Sequence, residues 1–151
     1  MRRLTDLAPA TWAVHTEKMF RLLLALPLAL TACSGDETIS AFVDKEATYR
    51  LTEVDGKPYP SLATVSFPDE GSISGRAPCN SFSGQLAAPY PWFELGPMRV
   101  TRSTCPEMAA ERSFFKDLAK MTLIETNGDV LILRDDGARE MIFVKTETDE
   151  Q

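Results

Sequence analysis

Histidine is almost missing from this chain of 151 residues: there is one, His15, and it lies ahead of position 32. Whatever is made from the later residues therefore has no imidazole base, which excludes Ser-His-Asp and Cys-His arrangements. Cysteine is scarce too, at positions 33, 79 and 105 only, and the two that lie beyond the N-terminal region, Cys79 and Cys105, cannot fill a tetrahedral zinc shell without histidine. Basic residues number 16 against 22 acidic ones, a formal charge of −6. That balance argues against nucleic acid, which requires clustered Lys and Arg, and on the same ground against acidic partners in general. The longest apolar run, nine residues from Leu22 to Leu30, falls short of the roughly 20 that a membrane helix needs. No Gly-rich phosphate loop leads from a strand into a helix, because the stretch Gly71 to Gly84 runs between strands. No segment repeats, and no cofactor or metal is expected.

What is present starts with an address. The run Leu22–Leu30 has the length of a signal-peptide h-region, and Leu30-Thr31-Ala32-Cys33 directly after it resembles the bacterial lipobox, whose cysteine is lipidated and becomes the first residue of the mature protein. An ordinary secretory signal with an incidental cysteine is the alternative. Residues 1–18 carry Asp6 and Glu17, whereas Met19-Phe20-Arg21 makes a compact positive start, so translation from Met19 is one reading. The expectation is a signal peptide over 1–32, lipid on Cys33, and a flexible tether through about residue 46. Ser34 after the cysteine implies, by resemblance to such lipoproteins, the periplasmic face of the outer membrane. Twelve basic and twenty acidic residues follow position 32, so attachment falls to acyl chains and not to anionic headgroups.

The remainder reads as one domain over 47–146 with an acidic tail at 147–151. Ala47–Val54 alternates, placing Tyr49 and Leu51 on one face; Leu62–Phe67, Ser72–Arg76 and Phe82–Ala87 follow, and turn residues separate all of them. Trp92–Leu95 and Met98–Thr101 continue around Gly96-Pro97. A helix is expected from Cys105 to about Lys120, with Thr104 and Glu107 at capping-box spacing and Met108, Phe114, Phe115 and Leu118 on one side. Met121–Thr126, Val130–Arg134 and Glu140–Lys145 form a meander, turning at Asn127-Gly128 and Asp135-Asp136-Gly137. Many short strands and one helix predict a mainly β domain, a small antiparallel barrel with the helix packed over an opening; a two-layer sandwich is the alternative.

In an oxidising compartment two cysteines within one small domain usually pair. With Cys33 taken by lipid, Cys79 and Cys105 are the expected disulfide; a reactive thiol is the alternative. A bridge closing about 26 residues stabilises by roughly 3.5 kcal/mol in the loop-entropy model.

Around these cysteines the order of motifs resembles the META domain family (HslJ-like): Val54-Asp55-Gly56, a strand ending at Phe67, Ser74-Gly75, Cys79-Asn80-Ser81-Phe82-Ser83-Gly84, Thr101-Arg102-Ser103-Thr104-Cys105, a helix with Phe114-Phe115 and Leu118, and Val130–Leu133. The likeness spans about Thr48 to Val144. Ala77-Pro78 stand where the family usually has glycines, and Tyr49 where it often has Trp. The resemblance implies a bacterial envelope protein linked to stress and drug tolerance, without an agreed enzymatic activity.

The function expected is thus a non-catalytic envelope lipoprotein that binds an unknown envelope protein or component as a monomer; a periplasmic inhibitor of an attacking hydrolase is the alternative. Candidate contacts are Asn80, weighed mainly as a loop-fixing hydrogen bonder, and Tyr90 and Trp92. Prolines at 89 and 91 keep Tyr90 on a loop or edge, and alternation sends Phe93 to the core and Trp92 to solvent. An exposed Tyr-Trp pair on a stiff Pro-x-Pro scaffold suits a binding patch; a tryptophan covering a barrel rim is the competing reading.

Overall fold

The computed structural model describes residues 35–146. The expected signal segment, Cys33 and the tail at 147–151 lie outside them. The chain forms β1 (Tyr49–Val54), β2 (Lys57–Pro58), β3 (Thr64–Ser66), β4 (Ser72–Arg76), β5 (Ser81–Leu86), β6 (Leu95–Val100), α1 (Met108–Leu118), β7 (Leu123–Asn127), β8 (Val130–Arg134) and β9 (Glu140–Lys145). The nine strands make one antiparallel sheet in the order β6-β5-β4-β3-β1-β9-β8-β7, with β2 paired to β1. The sheet curls into a half-barrel. Its ends approach where the backbone ahead of β6 meets β7: Trp92 bridges Leu123, Phe93 N–H donates to Thr122 O at 2.8 Å, and Ile124 N–H donates to Pro91 O at 2.8 Å. Among the described residues no helix is long and apolar enough to cross a membrane.

The alternation in β1 is realised: Tyr49 and Leu51 are buried and Arg50 is exposed. β3 resolves the competition for the core. Ala63, Thr64, Val65 and Phe67 are all buried and Leu62 is exposed; β3 pairs with β1 on one side and with β4 on the other. β3 and β4 approach so closely that a Cβ on Gly75 would lie 2.0 Å from Thr64 O, which only glycine tolerates. Asp55 and Gly56, both at positive φ, make the tight β1–β2 hairpin. The β7–β8 turn sits one residue later than expected, on Gly128-Asp129, with Asn127 paired to Val130. Gly128 at φ +62° is then the first central residue, as a II′ turn requires.

Phe114 and Leu118 carry α1 into the same core as the sheet, each contributing about 1.5–3 kcal/mol by burial. Phe82 meets both Phe114 and Phe115, at ring-centroid distances of 5.8 and 5.4 Å. α1 begins three residues later than expected. Its N-cap is Glu107, without a side-chain cap, so the Thr104–Glu107 capping box does not form. Cys105 is tied to Cys79, Ser103 N–H is drawn to Asn80, and Glu107 N–H turns to the Cys105 sulfur at 3.2 Å, which holds 103–107 out of helical geometry.

The expected tether is corrected from Gly35 onward. Ile39 and Ser40 are buried in a 3-10 turn (Ile39–Ala41). Asp36 gathers the Thr38 amide, the Thr38 and Ser40 hydroxyls and, more distantly, Lys45 Nζ, and the Thr38 hydroxyl accepts Gly71 N–H at 3.1 Å. Tyr90 N–H donates to Glu37 O at 2.8 Å. The tether reading gives way because Ile39 is buried, Val43 packs against the core, Phe42 stacks on Tyr90 and the hydrogen bonds around Asp36 and Thr38 pin the segment onto the domain.

Candidate functional site

Cys79 and Cys105 are joined, with their Cα atoms 5.7 Å apart, inside the usual span for a disulfide. The bridge fastens the β4–β5 turn to the stretch leading into α1. Beneath it lies a buried polar node that the sequence only half revealed. Asn80 is 5% exposed. Its amide nitrogen donates to Glu111 Oε1 at 2.7 Å and Ser103 O at 3.2 Å; its oxygen accepts the Thr101 hydroxyl at 2.9 Å and Ser103 N–H at 2.7 Å. Two donors and two lone pairs are all an asparagine amide offers. Asn80 is therefore a loop fixer with nothing left for a ligand, and the contact role weighed for it gives way.

Glu111 is the residue that sequence reasoning missed. It is buried on α1, and its Oε2 accepts Cys79 N–H at 2.9 Å and Asn80 N–H at 2.8 Å. The signal was available: Glu111 stands three, four and seven residues before Phe114, Phe115 and Leu118, so helical geometry puts a carboxylate on the apolar face. A charge placed there must find internal donors, and the turn after β4 supplies them. A cleft of about 500 Å³ opens beside the node, between the 100–104 strand end and the start of α1.

Tyr59 points into the same region. Its hydroxyl is buried without a hydrogen-bond partner among the described residues. Burial, and then the nearby Glu107, Asp117 and Glu111, push its phenol above the ordinary tyrosine range, so it stays a neutral donor.

The aromatic stretch divides. Phe93 is buried and Trp92 is 58% exposed, as alternation required. Tyr90 is only half-exposed and does not pair openly with Trp92; it stacks on Phe42, with ring centroids 4.2 Å apart and planes 22° off parallel. Phe42, itself 52% exposed, was expected in the tether. The exposed aromatic surface is thus a ridge at Trp92, with Tyr90 partly buried against the core and stacked on Phe42. Cys33, the expected lipidation site, lies outside the described residues.

The family model described as META domain matches residues 42–148. Among solved structures the fold is similar to an NMR structure of a protein from Burkholderia xenovorans, with a TM-score of 0.56 and 17% identity over 72% of this chain and 86% of that one. It is also similar to a crystal structure of a DUF4847 family protein from Bacteroides vulgatus, with a TM-score of 0.55 and 14% identity over 72% and 98%. At these identities the likeness concerns the fold alone. No curated protein matches the chain.

Proposed function

Because the chain belongs to the META domain family, which brings a fold but no agreed enzymatic activity, we propose that it is a non-catalytic binding module of the bacterial envelope, held by lipid at Cys33 and serving stress or drug tolerance. The observation that carries the binding role is Trp92, held 58% exposed beside buried Phe93. Backbone hydrogen bonds on both sides of it, from Phe93 to Thr122 and from Ile124 to Pro91, hold the main chain that carries the indole before any partner arrives. A pre-ordered aromatic loses little freedom on contact, which is how tryptophan comes to anchor interfaces. The disulfide supports export to an oxidising compartment, and the lipobox-like run supports the anchor.

In the form beginning at Cys33, Trp92 is the sole tryptophan, so its fluorescence reports this ridge. Emission should be water-like and quenched by iodide, and should shift to the blue when an envelope partner, crosslinked in intact cells and purified, is added. Trp92→Ala should weaken that binding at least tenfold with little change in stability. Buried-type emission that iodide cannot quench would refute the patch. Stoichiometric inhibition of a lysozyme or protease would redirect the reading to a hydrolase inhibitor.

A further inference from the structure

β6 is a terminal strand of the sheet: it pairs with β5 on one side, and among the described residues no strand pairs with its other side. Thr101 N–H donates to Ser81 O at 3.0 Å, which fixes the parity of the ladder. Thr101 and Arg99, opposite Ser81 and Ser83, turn their backbone groups toward β5, while Met98 and Val100, opposite Gly84 and Phe82, turn theirs outward. The outer edge thus presents the N–H and C=O of two residues in strand geometry. Pro97 does not blunt it, because it falls in the bulge where β6 carries an extra residue between its Gly84 and Leu86 partners.

The side chains alternate in the same register. Met98 and Val100 line the cleft of about 500 Å³ together with Met108, an apolar wall next to the free edge. Arg99 lies on the other face, in a cleft of about 490 Å³ that Asp69, Ser74 and Ser83 also line and that Met98, at the edge, borders as well; Asp69 forms no ion pair with Arg99. Arg99 and Arg102 are exposed and, among the described residues, join no ion pair. A second copy adding antiparallel to this edge near Arg99 would bring like charges together, which is unfavourable. The overall charge of −6 disfavours an acidic protein surface as a whole, but not an acidic side chain at one register position.

We infer that β6 is a strand-addition site for an extended segment of a partner protein in which apolar residues, seated over Met98 and Val100, alternate with acidic ones, seated beside Arg99. Main-chain hydrogen bonds to Met98 and Val100 provide affinity, and the two clefts provide specificity. This surface is separate from the Trp92 ridge, and either can fail without the other.

The test is a selection of phage-displayed random heptapeptides on the full chain, followed by synthesis of the best binder. The selected sequences should alternate apolar with Asp or Glu. The bound peptide should protect the Met98 and Val100 amides from hydrogen exchange while leaving the Trp92 indole resonance unmoved. Val100→Pro removes an outward N–H while sparing the β5 ladder, a placement that edge strands accept, and should weaken the peptide about tenfold or more. Arg99→Glu, at an exposed position, should do so too and reverse the preference toward Lys or Arg. Selection of no alternating acidic peptide, equal binding by Val100→Pro, or self-association of the chain that Val100→Pro abolishes would each overturn the inference.

Discussion

Truncating Glu111 to alanine tests how the central turn is held. Three donors lose their acceptor: the backbone N–H of Cys79, the backbone N–H of Asn80 and one side-chain N–H of Asn80. Each hydrogen bond to a charged group is worth about 1.5–3 kcal/mol, and each donor left buried and unpaired costs about 1–3. Two corrections reduce the sum. The wild-type carboxylate pays its own desolvation, and water from the adjoining cleft can reach part of the node. The net loss should be about 3 kcal/mol, against about 0.5 or less for an ordinary surface glutamate. With a urea slope of about 1–3 kcal/mol/M, the unfolding midpoint of the oxidised protein, followed by circular dichroism, should fall by about 1–3 M. Glu111→Gln keeps the volume but sets an NH₂ against the Asn80 amide or a backbone donor, so its loss should be smaller, about 1–2 kcal/mol. The cycle with Asn80→Ala should show coupling of about 1–3 kcal/mol. A loss below about 1 kcal/mol for Glu111→Ala, or additivity with Asn80→Ala, would refute the node as the support of the turn.

Cys79→Ala should cost about 3.5 kcal/mol by loop entropy, and free-thiol titration of unfolded, unreduced protein should find neither Cys79 nor Cys105 free. Cells given a clickable palmitate analogue should label the wild-type protein and not Cys33→Ala, which should fold but leave the membrane. Hydrogen bonds from Ser40 and Thr38 hold the Asp36 carboxyl down to about 2, against about 3.9 when unfolded. A depressed acid stabilises fully above its unfolded value, so docking of the 36–41 segment should be intact above about pH 5 and weaken as the pH falls toward 2. Amide exchange at Thr38 and Gly71 reads this directly, and unchanged protection at pH 2 would refute it.

Where composition and period agree, the fold was legible. Tyr49 and Leu51 announce one face of β1, and the Val130–Arg134 and Glu140–Lys145 runs were read to the residue, because period-2 alternation and glycine turns point the same way. Boundaries slipped where a long-range bond overrides local preference. Thr104 and Glu107 have the right spacing for a cap, but the disulfide and Asn80 hold that stretch in another shape. Trp92–Leu95 reads as strand, yet residues 91–93 leave β5 to bridge β7. Neither competitor is local, so no window along the chain contains it.

The site was legible as residue types but not as partners. Asn80 stood out in its Cys-Asn-x-Phe motif, yet its role depends on Glu111, thirty-one residues away, and a glutamate inside a helix looks like a solvated charge until its register against Phe114 and Leu118 is counted. Tyr90 was expected beside Trp92, but it found Phe42 in a stretch whose polar composition concealed a docking segment. The two displacements have one consequence. Asn80, which motif reading would offer to a ligand, is saturated from within, while the exposed Trp92, marked by alternation and its flanking prolines, and the unpaired β6 edge, which no motif marks, stay open. The surface left for the two proposed contacts therefore lies at the margins of the fold, at the exposed Trp92 and along the outer side of β6, and not at the saturated node under the disulfide.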